Sequence, residues 1–125
     1  MSFLKKEVGQ WGESVAESFL KGDGYKILER NFRSPFGEID IVARLSEIMV
    51  FVEVKTRLTS SLGPPYLAIT KVKERHMIKN ALFYLKTHRL MNAKWRIDIV
   101  SVKLGPEYEI ENIELIENAV EDSYV

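Results

Sequence analysis

The segment from Gly37 to Arg57, GEIDIVARLSEIMVFVEVKTR, constrains the fold most. It holds two apolar runs of strand length separated by Leu45-Ser46-Glu47, a break short enough for a β-hairpin. Successive side chains of a strand point to opposite faces. In the first run Glu38, Asp40 and Val42 therefore share one face, and Ile39, Ile41 and Ala43 the other. In the second run Phe51, Glu53, Lys55 and Arg57 lie together, opposite Val50, Val52, Val54 and Thr56. The apolar sets supply a core. The charged sets gather toward one end of each strand, and antiparallel pairing across the break brings Asp40 near the level of Glu53.

The remaining elements surround this hairpin. Residues Lys5 to Lys21 read as a helix with Val8, Trp11, Val15, Phe19 and Leu20 on one face, ended by Gly22 and Gly24. Tyr25 to Phe32 reads as a strand that stops near Ser34-Pro35. It precedes strands over Phe36–Arg44 and Ile48–Thr56. Residues 58–66 carry Ser, Gly and two prolines and read as a loop. Thr70 is an N-cap for a helix to about Thr87, in which Ile78, Ala81, Leu82 and Leu85 follow helical spacing. Trp95 to Leu104 alternates as a strand, Gly105-Pro106 breaks it, and Tyr108 to Ile116 forms a final edge strand. The order α-β-β-β-α-β(-β) describes an α/β fold, a mixed sheet flanked by helices. Trp11, Trp95 and Phe51 are expected in the core and His76 and His88 on the surface. Arg96 and Asp98, on one strand face, are expected to form a structural ion pair.

A length of 125 residues suits a single domain spanning 1–125. No apolar run approaches the roughly 20 residues that span a bilayer, so no membrane partner is expected. The N-terminal stretch MSFLKKEVGQWGESVAESFL lacks the apolar core and cleavage site of a signal peptide. With no cysteine, disulfides, thiolate metal sites and a cysteine nucleophile are excluded. A cytoplasmic location is expected. The zero net charge is unevenly spread: residues 105–125 hold seven acids and no Lys or Arg. Residues 1–104 keep 11 acids against all 18 bases, a formal +7. A basic body with an acidic C-terminal segment suits a polyanionic partner, and equally a soluble protein whose acidic edge balances its charge.

Two carboxylates with a lysine beside them are what metal-dependent phosphodiester hydrolysis requires. Hard oxygen ligands suit Mg²⁺ or Mn²⁺ rather than zinc, given two histidines and no thiol. Lys55, two residues beyond Glu53, shares its face and could orient water or stabilise developing charge. Glu53 and Lys55 alone would equally suit a cross-strand ion pair on a solvated sheet face.

Beyond the hairpin, GQWGESVAESFL matches the pattern GxxGExxAxxxL, and LERNFR, a later KxKxR and RIDIV follow in order. Together with GEIDIVA and VFVEVKTR these motifs resemble the YraN-like family of bacterial proteins over about residues 9–103. That family is similar to the restriction-endonuclease-like superfamily with its PD-(D/E)xK motif, and to archaeal Holliday-junction resolvases. The resemblance implies a restriction-endonuclease-like mixed β-sheet. It implies Asp40 and Glu53 as metal ligands, Lys55 as the motif lysine, and Glu13 as a further acid beside the metal. Glu38 shares the face of Asp40 and is expected to assist the site or to orient a base. The proline that usually precedes the motif aspartate is absent, since this chain reads Glu-Ile-Asp. Arg30, Arg33 and Arg57 would flank the site and contact phosphates, and Lys71, Arg75 and Lys79 form a helical stripe able to do the same. The implied function is a Mg²⁺- or Mn²⁺-dependent DNA endonuclease, selective for structure such as branched DNA and served by a symmetric homodimer. The alternatives are a non-catalytic nucleic-acid-binding or repair-partner module on the same fold, or an enzyme acting on RNA.

Overall fold

The computed structural model describes residues 5–58 and 69–120. Its elements are α1 (Lys5–Gly22), β1 (Lys26–Ser34), β2 (Gly37–Leu45), β3 (Ile48–Leu58), α2 (Lys71–Thr87), β4 (Lys94–Leu104) and β5 (Ile110–Ile116). The strands form one five-stranded sheet in the order β1-β2-β3-β4-β5. β1, β2 and β3 form an antiparallel meander, β4 lies parallel to β3, and β5 returns antiparallel to β4. The expected element order and mixed sheet are both present. Of the loop expected over 58–66, residues from 59 on lie outside the described residues.

Turn chemistry sets the two hairpins. β1 continues past Phe32 to Ser34 because Ser34 pairs with Gly37 across a two-residue turn at Pro35-Phe36. Leu45 pairs with Ile48 across Ser46-Glu47, where Ser46 adopts φ 55°. Thr70 caps α2 as expected, its hydroxyl accepting from the Lys73 amide at 3.1 Å.

The sheet carries a core on each face. On one side α2 packs Met77, Ile78, Ala81 and Leu85 over Phe51 and Ile97. On the other α1 packs Val15, Ala16 and Leu20 over Ile41, Val52 and Val100. The buried face of α1 differs from the expected one. Gly12, Val15, Ala16 and Leu20 face the sheet, while Trp11 is 43% exposed and donates its indole N–H to the Tyr108 carbonyl. Trp11 therefore corrects the expected core. Close approach explains the rotation, because a Cβ on Gly12 would fall 1.8 Å from Thr56 Oγ1. Small side chains seat the helix on β3, and the larger rings are turned aside. Trp95 is half-buried against Phe51, and His76 and His88 are exposed.

Strict alternation also fails along β2. Ile39 packs into the α2-side core with Val42, whereas Ile41 and Ala43 pack on the α1 side. The backbone ladder with β3 runs from Leu45–Ile48 to Ile41–Val52. At the next position the Asp40 carboxylate, rather than a backbone carbonyl, accepts the Val54 N–H at 2.8 Å. Ile39 and Ile41, two residues apart, thus end in the cores on opposite sides of the sheet, with Asp40 between them.

Arg96 and Asp98 form the expected ion pair, Nε to Oδ1 at 3.0 Å. Asp98 is fully buried and also accepts from Tyr25 Oη and the Asn118 amide, which ties the segment after β5 to β4.

Candidate metal centre

Three elements converge at the open end of the β2–β3 hairpin. α1 delivers Glu13, next to the glycine that sets the helix on the sheet. β2 delivers Glu38 and Asp40, and β3 delivers Glu53 and Lys55. Glu13, Glu38 and Asp40 each offer a carboxylate oxygen, and these oxygens lie within 4.8 Å of one another; all three residues are half-buried. Asn31 lies between two of the acids, its side-chain N–H₂ donating to Glu13 Oε1 at 2.9 Å and to Glu38 Oε1 at 2.7 Å.

Glu53 occupies a separate position beside this cluster. It is buried, and its Oε1 is held by Lys55 Nζ at 3.4 Å and Lys73 Nζ at 3.3 Å. Glu53 still acts on Asp40 through space. Burial, and then the negative charge of Glu53, push the Asp40 carboxyl up from the usual 3.8 to about 8. Glu13 adds to the rise, while the Val54 amide and Lys73 oppose it. Burial and neighbouring acids both disfavour the charged carboxylate here, and a nearby positive charge would favour it. The donor set fits a hard divalent cation: oxygen ligands only, several acids, and no thiolate or imidazole among them.

The bases expected to contact phosphate divide into two groups. Arg30 is turned inward, bonded to Glu13 at 3.4 Å and near Glu17 at 4.0 Å, so it orients the acids of α1. Arg33 is almost fully exposed, 3.9 Å from Glu38. Arg57 is half-buried on β3. Lys71, Arg75 and Lys79 are all exposed along α2, with Lys71 paired to Glu74 and Lys79 over the ring of Phe36. A cleft of about 350 Å³ opens beside the acids, lined by Lys6, Gln10, Glu13, Asn31, Arg33 and Glu38.

Sequence reasoning ranked Glu38 as an auxiliary residue, yet it belongs to the tight cluster. Alternation already places it on the face of Asp40; the packing of α1, which brings Glu13 to the same point, completes the cluster. Lys73 stood in the KxKxR motif, but the stripe through Lys71, Arg75 and Lys79 drew attention to the opposite face. Asn31 carries one usable signal: after glycine, Asn is among the residues that most readily turn a strand position left-handed.

Sheet and site together define a mixed α/β domain of order α-β-β-β-α-β-β, with an acidic cluster that could hold a metal ion at one end of its central hairpin. The chain belongs to the family described as "Uncharacterised protein family UPF0102", which matches residues 12–102. A UPF0102 protein of Geobacter metallireducens is 47% identical over 124 residues, 99% of this chain and 100% of the relative. One from Caldicellulosiruptor saccharolyticus is 44% identical over 115 residues, 92% of this chain and 98% of the relative. Among solved structures, Pyrococcus furiosus SfsA in complex with Ca²⁺ is similar at 17% identity with a TM-score of 0.41. That match covers 93% of this chain and 64% of the other, so the chain spans less than two thirds of it. Among the described residues no helix is long and apolar enough to cross a membrane.

Proposed function

We propose that this domain is a metal-dependent nuclease that hydrolyses phosphodiester bonds in DNA. The observation that carries the reading is the convergence of Glu13, Glu38 and Asp40 within 4.8 Å, beside a buried Glu53 clamped by two lysines. Glu13, Glu38 and Asp40 would hold Mg²⁺ or Mn²⁺, with Glu53 alongside. A cation held by these acids would supply Lewis-acid and water-activating chemistry toward a phosphodiester. The chain's own residues provide the rest. Lys55 and Lys73, both bound to Glu53 beside the acids, would supply positive charge toward a phosphate brought there. Arg33, exposed at the rim of the cleft, offers a guanidinium to a phosphate. Lys73 of α2 reaches Glu53, while the exposed stripe of Lys71, Arg75 and Lys79 lies on the other face of that helix and would meet phosphates only farther from the acids.

The acidic C-terminal segment leaves this positive charge on the rest of the domain. Among the described residues every helix and strand belongs to the one sheet and its two flanking helices, which favours recognition of DNA structure over sequence, with branched DNA as the expected substrate. Paired cuts on such a substrate call for a homodimer, and DNA as substrate puts the protein in the cytoplasm. The test is cleavage of labelled four-way junction, flap, single-stranded and duplex DNA in Mg²⁺, Mn²⁺ or EDTA, with Asp40→Asn and Glu53→Gln run alongside. Metal-dependent cutting lost in both variants supports the reading. DNA binding without any cutting replaces it with a non-catalytic binding module.

A further inference from the structure

Asn31 is the one residue inside β1 with a left-handed backbone, at φ 54°. Its neighbours keep the ladder to β2, Arg30 opposite Ile41 and Phe32 opposite Ile39. A non-glycine residue in that conformation carries a cost, which Asn tolerates best. The result is a side chain turned out of the strand toward both α1 and β2. Its amide meets Glu13 Oε1 at 2.9 Å and Glu38 Oε1 at 2.7 Å. Carboxylates only accept hydrogen bonds, so the group facing both must be the N–H₂, and both of its hydrogens are committed.

These two acids come from different elements and stand close to a third, Asp40. Like charges drawn this near repel one another. Arg30 meets Glu13 and Arg33 approaches Glu38, but each reaches only one of the pair. Asn31 alone among the described hydrogen bonds bridges both. It does so without adding a positive charge that would compete with a cation.

Resting on the nuclease reading above, we propose that Asn31 is a positioning residue for the metal. Its amide holds Glu13 and Glu38 at ligating separation, and its left-handed backbone is what allows that reach. Residues that orient metal ligands in this way typically govern affinity by 10- to 100-fold.

The test is Mn²⁺ titration of the full chain, followed by the loss of the free-ion electron paramagnetic resonance signal, with wild type, Asn31→Gly and Asp40→Asn. Glycine accepts φ 54° without strain, and far-UV circular dichroism checks that the variant is folded. Asn31→Ser provides a second variant, with a short polar side chain that cannot bridge both acids. The expected result is strong binding by wild type, loss of binding in Asp40→Asn, and a drop of about tenfold or more in both Asn31 variants. Binding in the Asn31 variants within twofold of wild type, with Asp40→Asn still defective, overturns the role of Asn31 and leaves the metal site standing. Binding unaffected by Asp40→Asn, or absent from wild type, overturns both.

Discussion

The Val54 amide donates to Asp40 Oδ2 at 2.8 Å, so a carboxylate completes the β2–β3 ladder where the two backbones part. This bond ties a candidate metal ligand to the rigid centre of the sheet. It uses one acceptor site of the carboxylate and leaves the others to the cluster. The residue that terminates the hairpin pairing is therefore the residue on which the acidic site is built.

The raised Asp40 pKa predicts an inverted pH dependence of stability without metal. In the folded protein Asp40 keeps its proton up to about 8, whereas the unfolded chain loses it near 3.8. Between these values the folded state binds more protons, so stability falls as pH rises, and the loss is complete above the folded value. In EDTA, Asp40→Asn should remove this component. The amide oxygen can still accept from Val54, so the variant should be more stable than wild type at pH 8.5 by on the order of 2 kcal/mol. Urea melts at pH 5 and pH 8.5 measure it, and an equal pH response of the two proteins would contradict the assignment. Mn²⁺ at about 100 times its dissociation constant should stabilise wild type by about 2.7 kcal/mol at pH 8.5 and leave the variant unmoved.

The seat of α1 is predicted to be intolerant of one methyl group. A Cβ on Gly12 would fall 1.8 Å from Thr56 Oγ1 and 2.9 Å from Thr56 Cβ. Gly12→Ala should destabilise by about 1–3 kcal/mol, despite the better helix propensity of alanine. Thr56→Ala in the same chain removes the nearest atom and should restore part of the loss. Thermal melts of the single and double variants decide this. Additive losses in the double variant would mean that the two side chains do not meet.

The hairpin, the element order and the face of β3 were legible because hydrophobic alternation and turn residues are local signals. Phe51, Glu53 and Lys55 share a side of β3 as alternation demands, with Glu53 and Lys55 in contact. Ile39 was not legible, because the change of face between it and Ile41 falls where the Asp40 side chain takes the Val54 N–H, a choice made between strands. Trp11 misled for a related reason. Its spacing fits the apolar face of α1, but the rotation of that helix is set by how closely Gly12 approaches Thr56. The motif acids were visible as residues. Alternation puts Glu38 beside Asp40 and Lys55 beside Glu53, but that Glu13 joins the first pair and Lys73 the second depends on how α1 and α2 pack on the sheet.

Asp98 is predicted to matter for stability alone. It is fully buried and answers Arg96, Tyr25 and the Asn118 amide at once. Asp98→Ala strands a partly buried guanidinium and should cost about 3–5 kcal/mol. Replacing both partners, Arg96→Met with Asp98→Leu, should recover much of that loss. Chemical denaturation of the three proteins, together with Mn²⁺ binding by the folded double variant, separates this network from the site. Loss of Mn²⁺ affinity in a fully folded double variant would show the two to be coupled.

Lys73 is predicted to act on both the charge balance and the chemistry. It meets the same Glu53 oxygen as Lys55, and its positive charge lowers the Asp40 pKa. Lys73→Met should therefore raise the Asp40 titration midpoint above its wild-type position, read from the carboxyl ¹³C shift of Asp40 without metal. Lys73→Arg keeps the charge and should hold the midpoint near the wild-type value. If the domain cleaves DNA as proposed, Lys73→Met should lower kcat by about 10²-fold, the order lost when one preorganised donor is removed. Exposed Lys79, one helical face away, should respond differently: Lys79→Met should change KM and its salt dependence more than kcat. An unmoved Asp40 midpoint in Lys73→Met would show that Lys73 only neutralises Glu53, and a fall in kcat would then need another cause.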